Sequence, residues 1–256
     1  MGFKSIGRRI DNLLDRGPEK RIMYSHIPKC GGSSVATSIR NIYGFWSGLR
    51  GQKLYRIDTT ASAKAASFSD KSLFEFRKEL LVYQFEKSRL QFITGHVGVD
   101  EAIMNKFCDN WNFVTVLRDP VERWYSEYYY NRYKDSDHFQ TDLPIEDYIS
   151  NVGKRRGHKY VTFFSEKEKN FEERIREAKE VLSNFDLVGF LDNLPRFKKK
   201  FKNLFKRKLT IPHKNKSPKP YFERKEIPNH IHEKVVELCQ PDIEIYNYIK
   251  STTDSN

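Results

Sequence analysis

Cysteine is scarce in this sequence: three occur in 256 residues, and Cys30, Cys108 and Cys239 lie far apart. That spacing is neither a metal-ligand pattern nor a disulfide scaffold, so a reducing compartment is the default. Long apolar runs are also missing. No stretch approaches the roughly 18 residues that a membrane span needs, and the N-terminus lacks the unbroken apolar segment of a secretory signal. The expectation is a soluble, cytoplasmic chain. Met1-Gly2 opens like a myristoylation signal, but the sixth position, where a hydroxyl residue is required, is Ile6. Acidic residues are in deficit, 34 against 46 Lys and Arg, and the resulting charge of +12 favours polyanions: nucleic acid, anionic glycans or an acidic lipid surface.

What the chain does have is apolar mass. Its 38% hydrophobic content, with 19 Phe and 14 Tyr, supports a packed core despite 31% charged residues. The length favours one domain over two, so residues 1–256 are read as a single unit, with a disordered tail over 251–256. Phe3, Ile6, Ile10, Leu13 and Leu14 recur at helical spacing among Lys4, Arg8 and Arg9, giving a basic amphipathic helix over 1–18. Its apolar face reads as packing onto the body, with contact to the inner membrane surface as the alternative.

Strands are expected at Arg21 to Ile27, Gln91 to Thr94, Asn112 to Leu117 and Leu187 to Phe190. Helices are expected after Ser34, over Leu73 to Leu90, from Pro120 through Tyr133, over Phe171 to Phe185 and over Leu194 to Phe205. Two closing helices follow, Ile231 to Leu238 and Ile243 to Ile249, while Ser47 to Asp70 is polar and unpatterned. Alternating strands and helices imply a three-layer α/β fold of P-loop-like type, with a mostly parallel central sheet and helices on both faces. Ligands of such sheets bind beyond the C-terminal ends of the strands, where Lys29, His96 and Arg118 all fall.

Pro28-Lys29-Cys30-Gly31-Gly32-Ser33-Ser34 joins a strand to a helix, which suits an oxyanion. The glycines permit close backbone approach, the helix N-terminus offers free N–H groups, and the lysine adds a full charge. It is not a Walker loop, because its lysine precedes the glycines. An ordinary strand-to-helix turn is the plain alternative. In Arg118-Asp119-Pro120-Val121-Glu122-Arg123-Trp124-Tyr125-Ser126, Arg118 just before a helix and Ser126 in its second turn could reach one phosphate. A salt bridge from Arg118 to Asp119 or Glu122 is the competing role.

Together these stretches resemble the carbohydrate sulfotransferases, in particular the group of the heparan sulfate 2-O- and 6-O-sulfotransferases. The resemblance is strong over Arg21 to Arg40 and Asn112 to Arg132 and thin elsewhere. It implies that Lys29, Cys30, Gly31, Gly32, Ser33 and Ser34 hold the 5′-phosphosulfate of 3′-phosphoadenosine 5′-phosphosulfate, and that Arg118 and Ser126 hold its 3′-phosphate. The product would be 3′-phosphoadenosine 5′-phosphate (PAP), and no metal is implied. Cys30 stands where the family usually has threonine, keeping the backbone N–H but trading a hydroxyl for a weak thiol donor. Gly95-His96-Val97 resembles the stretch carrying the family's proposed catalytic base, which implies His96 as base beside Lys29. His138 and His158 are the fallbacks, and His26 reads as a packed strand residue. Leu187 to Leu191 and the loop containing Asn215 also look like late family elements.

The acceptor implied is a carbohydrate or glycolipid, anionic if the basic run Lys154-Arg155-Arg156-Gly157-His158-Lys159 recognises it. A solvated loop is the plain reading of that run. Three rivals stay open: a P-loop nucleotide phosphotransferase, which needs a Walker lysine and an acidic magnesium ligand, a basic nucleic-acid binder, and a sulfotransferase-like fold that binds nucleotide without catalysis. No recognition motif supports specific nucleic-acid binding, and oligomeric state is not legible.

Overall fold

Short runs rich in β-branched and aromatic residues, buried on both faces, build the centre of this protein. The computed structural model describes residues 20–43, 53–134, 140–212 and 227–254. The expected N-terminal helix, His138 and the loop with Asn215 lie outside them. Every residue of β1 (Ile22–Ser25) is buried, as are five of six in β4 (Asn112–Leu117). Such double-faced burial is what helices on both sides of a parallel sheet produce.

Among the described residues the sheet has five strands, all parallel, in the order β2 (Lys53–Arg56), β3 (Leu90–Gly95), β1, β4 and β5 (Leu187–Phe190). In register, Met23 lies between Ile93 and Phe113. From β1 the chain passes through α1 (Gly32–Asn41) toward β2, whereas β3 and β4 lead away in the opposite direction. Right-handed crossovers therefore send the β1 loop to one face and the β3 and β4 loops to the other. The direction of winding reverses on both flanks of β1, toward β3 and toward β4, which is where sheets of this kind leave crevices at their C-terminal ends.

The helices complete the layers. On one face, Val35 and Ile39 of α1 pack with Phe197, Phe201 and Phe205 of α9 (Leu194–Phe205). On the other, α3 (Leu73–Phe85), α4 (Glu101–Phe107), α7 (Lys159–Phe164) and α8 (Phe171–Ser183) cover Met23, Ile93 and Phe113. A third cluster joins α5 (Pro120–Tyr133) and α6 (Ile145–Gly157) to α10 (Asn229–Asp254) through Trp124, Tyr128, Tyr148 and Val235.

Several expectations are corrected. The unpatterned stretch contains β2 and α2 (Thr59–Phe68). β2 is an edge strand, and α2 is an Ala- and Ser-rich helix without an apolar stripe, started by Asp58, whose carboxylate accepts from Ala61 N–H at 2.7 Å. Helix propensity and a cap form that helix, not periodicity. The helix expected to run to Leu90 ends at Phe85, since Leu90 opens β3. The two closing helices are one, continuous through Pro241, and Ser251–Asp254 extend it where a tail was expected. The basic run is helical as well, spanning the end of α6 and the start of α7.

Candidate active site

The loop after β1 is shaped by two left-handed residues, Lys29 at φ 68° and Gly31 at φ 70°. Glycine is needed at 31 on two counts: the positive φ, and the side chain of Leu191, 2.6 Å from where a Cβ would stand. Gly32 is needed because the His26 ring lies across it, 2.0 Å from such a Cβ. Both glycines thus answer to packing by the protein itself, a role the oxyanion-loop reading did not include. Cys30 turns inward. Its thiol is fully buried, 3.8 Å from the Tyr160 hydroxyl, and burial pushes its pKa up to about 11. The residue as a whole has no exposed surface, and its N–H already leans on Ile27 O at 3.4 Å. Ser33 is exposed, and Ser34 is half-buried with its carbonyl accepting from Ser38 Oγ at 2.8 Å.

On the β4 flank, Arg118 Nη1 donates to the carbonyl of Lys29 at 3.2 Å, which ties the two expected donor-binding segments together. Its Nη2 is 3.3 Å from Glu122, so the salt-bridge alternative is also realised, toward a half-exposed carboxylate of little strength. The Tyr160 hydroxyl bonds to both the N–H and the carbonyl of Arg118. Ser126 projects from the second turn of α5 and is nearly buried. The Lys29 ammonium rests 3.5 Å from the centre of the Tyr130 ring.

On the β3 flank stands His96. Its Nδ1 is 2.7 Å from the carbonyl of His26, and the rings of the two histidines lie 4.3 Å apart. A carbonyl only accepts, so Nδ1 carries the proton and Nε2 keeps a free lone pair. Buried Arg77 fixes the backbone here, donating to His96 O at 3.1 Å and to the Ser62 hydroxyl at 2.9 Å. Burial holds the His96 pKa below the usual histidine value, the bond to His26 partly offsets this, and Arg77, Arg56 and Lys159 lower it further. The ring is neutral at pH 7, the state a general base requires.

Below the loop is a charge cluster that sequence reading missed. Fully buried Arg123 sits 2.7 Å from Glu127, and Arg156 sits 2.5 Å from the same carboxylate. Asp242 of α10, also fully buried, accepts from Tyr160 N–H at 2.9 Å and Val161 N–H at 3.2 Å, which caps α7. The sequence signal for the first pair was the i,i+4 spacing of Arg123 and Glu127 on an otherwise aromatic helix. Nothing local marks Asp242. Burial presses the lysines Lys29 and Lys159 down to about 8, only partly opposed by Glu127, with neighbouring arginines adding to the shift. By count, Lys29, Arg123, Arg156 and Lys159 share Glu127 and Asp242 as their acidic neighbours, a cationic balance that suits an oxyanion.

The basic run is divided by the fold and does not form one acceptor-binding edge. Lys154 and Arg155 are exposed, Arg156 turns in to Glu127, and His158 packs on Phe171 with ring centres 5.0 Å apart. Among the described residues, no three His, Cys, Asp or Glu side chains are grouped to hold a metal ion, and no helix is long and apolar enough to cross a membrane.

The chain is an α/β protein whose parallel sheet carries a cationic strand-to-helix loop at the C-terminal end of its central strand. No protein-family model matches it, and no curated protein matches it. Among solved structures it is similar to a retinol dehydratase in complex with androsterone and inactive cofactor PAP. The identity is 12% and the TM-score 0.31, over 91% of this chain and 84% of that one. Overlap that loose carries nothing from one protein to the other.

Proposed function

We propose that the protein transfers a sulfuryl group from 3′-phosphoadenosine 5′-phosphosulfate to a hydroxyl of a carbohydrate or glycoconjugate. The observation that carries the reading is the His96 imidazole, held neutral with Nε2 free, on the flank of β1 opposite Arg118 and next to the loop of Lys29. Nε2 takes the acceptor hydroxyl's proton as the oxygen attacks sulfur in line. Lys29 leaves the face of Tyr130 to neutralise the departing phosphate, together with loop N–H groups. Arg118 and Ser126 anchor the 3′ end. The cationic excess of the cluster fits a phosphosulfate and supports this assignment over an ordinary turn.

The first test is the 3′-phosphate. PAP should bind more tightly than AMP by the worth of a charge-assisted contact, roughly 1.5–3 kcal/mol, when both are titrated calorimetrically. Equal affinities would end the assignment of Arg118 and Ser126.

Affinity should also depend on pH in a set direction. The lysines Lys29 and Lys159, at about 8 in the free protein, rise when a polyanion binds, so binding takes up protons. PAP affinity is then full below pH 8 and falls above it, by up to about tenfold per pH unit for each lysine that must be charged. Titrations from pH 7 to 9.5 check this, and a flat profile would remove the two lysines from the site.

A further inference from the structure

Beside His96 lies a chamber of about 200 Å³ on the β3 flank, between α1 and the strands β2 and β3. Arg118 and Ser126 are not part of it while Ser33 of the loop is, so the chamber opens on the sulfate end of the proposed nucleotide and lies across β1 from its 3′-phosphate. One wall is a single face of α1: Ser33, Thr37 and Arg40, at i, i+4 and i+7. The opposite wall carries Arg56, at the end of β2 and in register with Thr94.

Arg40 and Arg56 are both exposed, and neither pairs with a described carboxylate. The nearest acidic residue in sequence, Asp58, is engaged at the N-terminus of α2. A chamber that holds the proposed base, apolar walls at Leu54, Ile57 and Phe92, and two exposed guanidiniums without a described carboxylate suits an occupant with a ring-like body and a negatively charged group. Guanidiniums favour planar or tetrahedral oxyanions because their forked donors make paired bonds.

We infer that this chamber receives the acceptor and selects one that carries its own oxyanion, held by Arg56 and Arg40 while its hydroxyl faces His96 Nε2. Recognition thus falls to α1 and β2, not to the basic run at the end of α6. The chamber's volume suits the terminal residue of a glycan, or a free acidic sugar, entering end on.

This inference rests on the sulfuryl-transfer reading, and one experiment separates the two. In protein saturated with PAP, glucose 6-phosphate and glucose are titrated while the His96 imidazole resonance is followed by NMR, assigned with the His96→Gln variant. Glucose 6-phosphate should shift the resonance saturably and bind at least about tenfold more tightly than glucose, the worth of one or two charge-assisted contacts. Arg56→Gln and Arg40→Gln, both exposed positions, should erase that preference while PAP affinity stays unchanged. No shift with glucose 6-phosphate, equal binding of the two sugars, or a preference that survives in the double variant would overturn the chamber's role and leave the nucleotide reading standing. Failure of the wild-type protein to bind PAP would overturn both.

Discussion

Replacing His96 by alanine should lower turnover on the order of 10²–10⁴-fold, the usual contribution of a general base, and leave PAP affinity unchanged. The separation follows from geometry. His96 stands on the β3 flank of the loop, its Nδ1 fixed by the His26 carbonyl, across β1 from Arg118 and Ser126, which are proposed to hold the 3′-phosphate. Lys29→Ala should weaken both binding and turnover, because that ammonium lies in the loop itself. The measurement is paired: PAP titration and turnover on an identified acceptor, for wild type and each variant. Full turnover by a folded His96→Ala protein across pH 6–8 would move the base elsewhere, with His158 the remaining histidine candidate among the described residues. His158 is a weaker candidate, since it packs on Phe171 away from the loop.

Arg123→Ala should destabilise the protein by about 3–5 kcal/mol, the cost of breaking a buried ion pair from one side. Arg123 has no exposed surface; it bonds Glu127 at 2.7 Å and also donates to the carbonyl of Arg156. Its removal takes one of two arginine partners from the buried Glu127 carboxylate, removes the positive charge beside buried Asp242, and leaves the Arg156 carbonyl without this donor. Urea unfolding read by tryptophan fluorescence suits the test because Trp124 adjoins the site; a loss under about 1 kcal/mol would show that the cluster rearranges. The same cluster sets an acid limit. Burial alone would raise the Glu127 pKa, but Lys159, Arg123 and Arg156 carry it down to about 2. Its folded value lies below the unfolded one, so its stabilising contribution is complete above about pH 4.5 and is lost as pH falls toward 2.

Much of the frame was legible because it obeys local rules. β4, β5, α5 and α9 fall where apolar patterning and Pro120 put them. The loop from Pro28 to Ser34 announces itself through residue types that few other contexts require. β2 and α2 were not legible, since an edge strand with charged ends and an alanine-rich helix carry little hydrophobic signal. Reading proline as a helix boundary works at Pro120 and misleads at Pro241, where burial of both halves of α10 holds the helix together past the lost N–H.

Residue order alone settled the alternation of strands and helices, the placement of Lys29, His96 and Arg118 at strand ends, and the cationic character of the loop. Packing in three dimensions was needed to show which side of β1 each residue occupies, that Cys30 faces Tyr160, that Arg156 is a buried partner of Glu127, and that Arg40 meets Arg56 across a chamber. The division follows the range of the interactions. Patterning and capping act within a few residues, whereas strand order, buried charge pairing and the His26 to His96 bond join segments tens of residues apart, and only the assembled core fixes their partners.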